Sequence, residues 1–431
     1  MKKLLLILLC LPMIGFGQSW QQNYGSVNSF EAGISVQQTL DGGYIVLGIS
    51  AASSSEDAYL MKIDGNGNAQ WSQTFGGVDI DRGDKVQQTL DGGYILSLSR
   101  RIEPAGGIPL LYIDIIKTYS NGTIDWNTTF PCQGEGTHIQ QTIDGGYIIA
   151  GGFESGALGA LHNIPGLVKI DSIGNQQWSQ VFSALTNLFP SVAISVQQTT
   201  DGGYIVCPDN GGQYSPTNGD VNIIKTHSDG TIDWYKSYGG NDYSAAPIVS
   251  QTTDGGYIIG GRTKDFVNDD YDAYLIKTDS IGAEQWSKIF GGNLDDQFWG
   301  IEQTTDGGYV IVGKTESLGD TLGDIYIIKT DGNGVEQWHQ TYGGSGFDGA
   351  SSVQQTNDGG YIICGTMNYD ICLIKTDGNG NVTSTFNTPM NPNRKLEKVV
   401  DILGKQTKPQ TNIPFIEIYD DGTVEKKIVI E

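Results

Sequence analysis

Histidine and cysteine are scarce in this chain, at 4 and 5 of 431 residues. The histidines, His138, His162, His227 and His339, have no metal-ligand spacing, so no histidine metal centre is expected. Nucleophile-elbow and phosphate-loop patterns are missing, which removes the common signatures of serine hydrolases and nucleotide enzymes. No long stretch carries apolar residues at helical spacing, so a helical bundle is excluded. Beyond the N-terminus no segment could cross a membrane as a helix. Basic residues are few: 25 Lys and Arg face 49 Asp and Glu, for a net charge of −24. A chain this acidic is expected to repel nucleic acid and anionic membranes, and no nucleic-acid partner is expected.

What is abundant is glycine, at 61 residues, with 21 Tyr and 8 Trp. That composition suits many short strands joined by tight turns. Asp-Gly-Gly-Tyr begins at Asp41, Asp91, Asp144, Asp201, Asp254, Asp306 and Asp358, seven copies spaced 50 to 57 residues apart. A polar strand such as Ser35–Thr39 precedes each copy, and an apolar one such as Tyr257–Gly260 follows it. Asp-Gly-Gly between them is hairpin chemistry, because glycine accepts positive φ cheaply. A third segment follows, as in Ala273–Thr278, then a second Gly-containing turn and a segment opened by Trp, as in Trp286–Gly292. Four antiparallel strands, a to d, in a unit of this length predict an all-β, seven-bladed β-propeller.

The strand count also predicts how the ring closes. Trp-led d strands begin at Trp20, Trp71, Trp126, Trp178, Trp234, Trp286 and Trp338. The chain therefore starts on a d strand, and the last unit has a, b and c strands only. Trp20 to Tyr24 is expected to complete the last blade and leave no open edge. Residues 382–386 compete for the same place.

At the N-terminus Lys2 and Lys3, the apolar run Leu4–Ile14 and small residues at Gly15 and Gly17 read as a secretory signal, residues 1–17, cleaved before Gln18. Its loss takes the net charge from −24 to −26. Leu9 before Cys10 argues against lipidation. Cys132, Cys207, Cys364 and Cys372 remain. Cys364 and Cys372 fall on adjacent strands and could pair in an exported protein, whereas Cys207 and Cys364 share a column with Leu47, Ala150 and Gly260 and read as small core residues. The propeller is expected over 18–386, and 387–431 reads as a linker and a small β tail.

The Gly-Gly after strand b, the c strand and the Trp of strand d resemble kelch-type blades. The spacing of Asp64, Gly67 and Trp71 is similar to repeats of pyrroloquinoline-quinone propellers. The whole unit resembles secreted repeat propellers of Bacteroidota-type bacteria, which implies fold more than function. A quinone enzyme of that kind usually has eight blades, so no cofactor is expected. The tail, with Asp401, Gly404 and Lys405 and a Lys-rich last strand, resembles a short type IX secretion sorting segment. That implies secretion machinery as a partner and a secreted or outer-surface location.

The a–b and c–d turns are short and uniform, while the b–c and d–a loops vary. Binding residues usually ride on variable loops held by a rigid frame. The candidates are Asp295, Asp296, Phe298 and Trp299 in one d–a loop, Asp242 with Tyr243 and Phe347 with Asp348 in equivalent loops, and Tyr271 beside Asp269 and Asp270 in a b–c loop. Aromatic platforms beside carboxylates suit a glycan or a protein ligand. Trp299 is the sole Trp outside the d-strand column. Asp81, Asp296 and Asp348 share one column, which also fits a turn role. The Asp-Gly-Asn-Gly turns at Asp64, Asp331 and Asp377 read as hairpins and not as calcium loops, since Asp171, Asp279 and Tyr119 open equivalent turns with fewer ligands. Lys62, Lys117, Lys169, Lys225, Lys277, Lys329 and Lys375 recur in every c strand and read as scaffold whose amines meet a carboxylate or water. The expected function is exported binding or adhesion without catalysis. The alternatives are a glycoside hydrolase or lyase using loop carboxylates, whose acid pairs follow no spacing rule, and a structural surface protein without a small ligand.

Overall fold

The computed structural model describes residues 19–427 apart from 26–28, 52–54, 105–106, 133–136, 154–163, 183–191, 210–220, 240–243, 266–269, 321, 383, 386–395, 402–404, 409–414 and 420–423. Residues 1–17, where the signal is expected, lie outside the described part. Two compact units meet in sequence at Thr385 and Phe386. The second is a three-stranded antiparallel sheet of Leu396–Asp401, Phe415–Tyr419 and Val424–Lys427.

The first unit is a seven-bladed β-propeller with four antiparallel strands per blade. Blade 1 is typical: strand a is Glu31–Gln38, b is Tyr44–Ser50, c is Asp57–Ile63 and d is Ala69–Phe75. Blades 2 to 6 occupy 80–132, 138–181, 192–238, 244–290 and 296–342, and blade 7 begins at 348–376. Its fourth strand is Trp20–Tyr24, which pairs Trp20 with Lys375, just as Trp71 pairs with Lys62 in blade 1. The competing segment does not take that place: Ser384–Thr385 adds a short fifth strand outside Trp20–Tyr24, parallel to it. Strands b and c are almost continuously buried because neighbouring blades cover both of their faces. The cores accordingly lie between blades, as where Val36, Tyr44 and Val46 meet Ile362, Cys364 and Leu373.

Three features recur around the ring. The first is the a–b turn. Gly42 and its counterparts need positive φ, +81° at Gly42 and +83° at Gly307. The second glycine is required by close approach: a Cβ on Gly308 would lie 2.1 Å from the Thr330 carbonyl and 2.5 Å from Lys329 Nζ. Each buried c-strand lysine reaches back to the turn and pairs with its aspartate at 2.8–3.0 Å. The same amine donates to the next residue's carbonyl. The carboxylate expected for these lysines is thus the turn aspartate.

The second feature joins blades at the outer strands. Each d-strand Trp lies against the positive-φ glycine of the next blade's c–d turn, Trp71 on Gly122 and Trp338 on Gly380, with Trp20 on Gly67 across the closure. Each also meets the next blade's b-strand Tyr, with ring centroids 5.7–6.0 Å apart. The third is a belt around the channel made by the Gln-Gln pair of strand a. The second glutamine's carbonyl accepts from the preceding blade's turn at all seven junctions, from Leu40 N to Gln88 round to Asn357 N to Gln38. The first glutamine accepts from the next blade's strand, as Gln37 does from Gln88 N. Blade 6 uses Glu302 for that bond and blade 5 carries Ser250 in the column.

The turn makes a graded prediction. Gly308→Ala drives a Cβ into backbone and is expected to cost about 2–4 kcal/mol. Gly307→Ala has open space and strains only φ, for about 1 kcal/mol. Equal denaturant midpoints for the two variants would contradict this account.

Cys364 and Cys372 form no bridge; both are buried free thiols on adjacent strands, paired in register with Leu373 and Gly365. The Asp-Gly-Asn-Gly turns are hairpins whose first carboxylate is already occupied. Asp64 accepts from the N–H groups of Asn66 and Asn68, and Asp331 from those of Asn333 and Val335. Asp171, in a turn with fewer carboxylate and amide oxygens, makes the same bonds.

Candidate functional site

The a strands of all seven blades surround a central cavity of about 830 Å³. How a side chain enters it depends on a β-bulge. In blade 6 the register slips between Phe298 and Gly300, so Trp299 is the extra residue. Phe298 turns into the core between blades 5 and 6 and is 3% exposed. Trp299 lines the cavity instead. The same bulge position holds Ile34, Asp84 and Ser351 in blades 1, 2 and 7, all cavity-lining.

Phe347, just ahead of strand a of blade 7, lines the cavity beside Trp299 and is 42% exposed. A Cβ on Gly349 would sit 3.1 Å from Trp299, 3.7 Å from Lys314 and 3.8 Å from Phe347, so the four residues converge. The Lys314 amine stands 5.6 Å from the Phe347 ring centroid, a cation–π distance, and pairs with Glu316 at 2.5 Å.

Among the described residues, the ionisable side chains lining the cavity are Asp84, Lys85, His138 and Glu302. Lys85 and His138 replace the serine that blades 1, 4 and 7 carry as Ser35, Ser195 and Ser352. Those serines accept from the next blade's backbone N–H, and a lysine cannot. Burial lowers the Lys85 amine, with Glu302 pulling the other way. Burial and the Lys85 charge hold His138 at about 3, against a bond from its ring to the Val196 backbone, so the imidazole is neutral at pH 7. Its Nδ1 is buried without a hydrogen-bond partner. Glu302 is pushed up to about 7 by burial, opposed by the Gln355 N–H and by Lys85. Asp84 accepts from the hydroxyls of Ser99 and Thr137.

Of the residues singled out from the sequence, Trp299 and Phe347 are brought together at the cavity. Asp296, Phe298 and Trp299 lie within strand Asp296–Gln303 and not in a loop. Asp296 and Asp348 are fully buried and cap the turns before their strands, accepting from Gly292 N at 2.8 Å and Gly344 N at 2.7 Å. Asp295 and Tyr271 meet each other, with Tyr271 N donating to the Asp295 carboxylate at 2.9 Å. The Tyr271 ring lies under Arg262 and Lys264. Asp242 and Tyr243 lie outside the described residues. Lys85, His138 and Glu302 were missed by sequence reasoning. The signal was available: each departs from a column that its neighbours fill with serine or glutamine.

No family model and no curated protein matches the chain. Solved structures match it in fold. A protein of unknown function from Dyadobacter fermentans aligns with TM-score 0.50 and 12% identity, over 83% of this chain and 97% of its own. The Neurospora crassa Pan2 WD40 domain aligns with TM-score 0.50 and 8% identity, over 83% and 94%. The extracellular domain of the hybrid two-component system BT3049 from B. thetaiotaomicron aligns with TM-score 0.46 and 14% identity, over 95% of this chain and 48% of its own. At such identities the first two likenesses show the propeller fold alone, a frame shared by unrelated functions.

Proposed function

We propose that this protein is an exported binding propeller without catalytic activity, which takes a glycan or peptide ligand in the central cavity against Trp299 and Phe347. One observation carries the reading. What repeats seven times is scaffold, and the departures from the repeat in Trp299, Lys85, His138 and Glu302 collect in one cavity. Its volume of about 830 Å³ falls in the range of ligand sites, roughly 300–1,000 Å³. The aromatic pair supplies contact area, and the groups deeper in the column supply polar recognition. Export rests on the N-terminal signal pattern, and a cell-surface location rests on the tail's likeness to a sorting segment.

A hydrolase is the weaker reading. Glycoside hydrolysis needs two carboxyls flanking the scissile bond. Here the charged group opposing the Glu302 shift is the Lys85 ammonium, and Asp84 is engaged by two hydroxyls. The test is a glycan and peptide array read with the wild type, Trp299→Ala and Phe347→Ala. Either variant is expected to weaken the selected ligand at least tenfold while the melting temperature stays within about 2 °C, because both rings face the cavity and not the core. Turnover of the ligand, or binding indifferent to both changes, refutes the proposal.

A further inference from the structure

Resting on that reading, we infer that the ligand is an acidic saccharide, seated with a carboxylate on Lys85, a hydroxyl on His138 Nδ1 and the sugar face on Trp299. Two polar groups of the cavity lack a protein partner among the described residues. Among the described residues the Lys85 amine has no hydrogen-bond or ion-pair partner, although every c-strand lysine of the ring has a carboxylate. His138, next to it in the same column on blade 3, presents a buried acceptor with no donor. A buried group left unsatisfied costs about as much as a lost hydrogen bond, so a ligand that supplies a donor to His138 gains there, and the Lys85 amine, which lines the cavity, offers a charge-assisted bond beside it.

An ammonium asks for an anion, and a neutral imidazole nitrogen asks for a donor. The two are close enough that the charge of Lys85 is the second cause of the His138 shift. The complementary ligand therefore carries a carboxylate near a hydroxyl. Across the cavity, on blades 6 and 7, Trp299 and Phe347 ask for an apolar face, which a pyranose ring offers through its C–H groups. A uronic acid combines the three. At the opposite wall Glu302, in a column of hydrogen-bonding glutamines, can take a further hydroxyl as donor or acceptor, since its carboxyl is poised near neutrality. The strongly negative chain as a whole disfavours a densely charged polyanion, so one carboxylate per bound unit is the fitting case.

The test compares two disaccharides that differ in one group, cellobiouronic acid and cellobiose, by calorimetric titration of the full chain at pH 7. The acid is expected to bind at least tenfold more tightly. Lys85→Ser, which installs the residue found in three other blades and so keeps the fold, is expected to erase that difference by weakening the acid. His138→Phe is expected to weaken both. Equal affinities in the wild type, or a preference for the acid that survives Lys85→Ser, overturns the inference while leaving the cavity a ligand site. Binding of acidic peptides but of neither sugar overturns the saccharide class. Absence of any ligand on the array refutes the underlying reading as well, so the two failures are distinguishable.

Discussion

Removing residues 18–24 is expected to lower the melting temperature by about 10 °C or more and to broaden the transition. Trp20 is wholly buried, and its ring meets Tyr44 and Gly67 of blade 1 while its Nε1 donates to the Gly65 carbonyl at 3.2 Å. Tyr24 adds a bond from its hydroxyl to the Gly67 carbonyl at 2.7 Å. Trp20→Ala alone should cost about 3–5 kcal/mol. Deletion also strips five ladder pairs from Asp370–Thr376 and uncovers the blade 1 face. Folding free energies are about 5–15 kcal/mol, so a loss of this size consumes much of the whole. One rescue is conceivable from the topology: Ser384–Thr385 already lies against Trp20–Tyr24 and could slide into the vacated place. A deletion that melts like the parent would identify that rescue, and a further deletion of 382–385 would then collapse the ring.

The closure was legible because a missing strand in the last unit and a surplus one at the start are a matter of counting. The core was legible for a related reason: Tyr-Ile-Ile and Leu-Ile-Lys runs recur in one phase, and a strand covered on both faces needs no alternation. The role of the Gln-Gln pair was not, since a polar pair beside a turn looks solvated until the neighbouring blade supplies N–H groups at the right height. Nor was the fate of Phe298 and Trp299. Adjacent aromatics on a regular strand must face opposite ways, and which one enters the cavity depends on the extra residue of the bulge. Lys85 and His138 looked like ordinary variation in a polar strand. Only the circular arrangement turns two positions 53 residues apart into neighbours on one wall.

The second large effect concerns pH. Stability is expected to peak between about pH 4 and 6 and to fall on both sides. The acid limb comes from the seven turn aspartates. Burial pushes Asp41 up, but the Thr39 hydroxyl, the Lys62 amine and the Gly43 N–H outweigh it and hold the carboxyl at about 2. Asp91, Asp201, Asp254 and Asp306 behave alike, and Asp144 and Asp358 are lowered for the same reasons. A folded pKa below the unfolded value gives stability that is present above 3.8 and lost as pH falls toward 2. His138, a base held at about 3, works in the same direction between 6.5 and 3.

The alkaline limb comes from acids whose folded values are raised. Asp81 stands at about 6 through burial and Asp114, with Arg100 opposing and Asp57 and Asp79 adding. Asp370 is raised by burial and by Glu31 of the next blade, and Asp324 by burial, Asp320 and Asp348, against a bond from the Asp320 backbone. Glu302, at about 7, is the largest single case. Each contributes stability below its unfolded value and loses it as pH rises through the folded one. Glu302→Gln restores the amide found in the same column of five other blades, and an amide oxygen can still accept from Gln355 N. It is expected to stabilise the propeller by about 1–3 kcal/mol at pH 8, the scale of a shift of two units or so, and to change little at pH 4, where the wild-type carboxyl is already protonated. Thermal melts of both proteins from pH 3 to pH 9 decide the matter. A gain independent of pH would assign the effect to packing, and no gain at pH 8 would mean that Lys85 already neutralises Glu302. If the gain appears while ligand affinity falls, the acid that weakens the ring is the one the cavity uses.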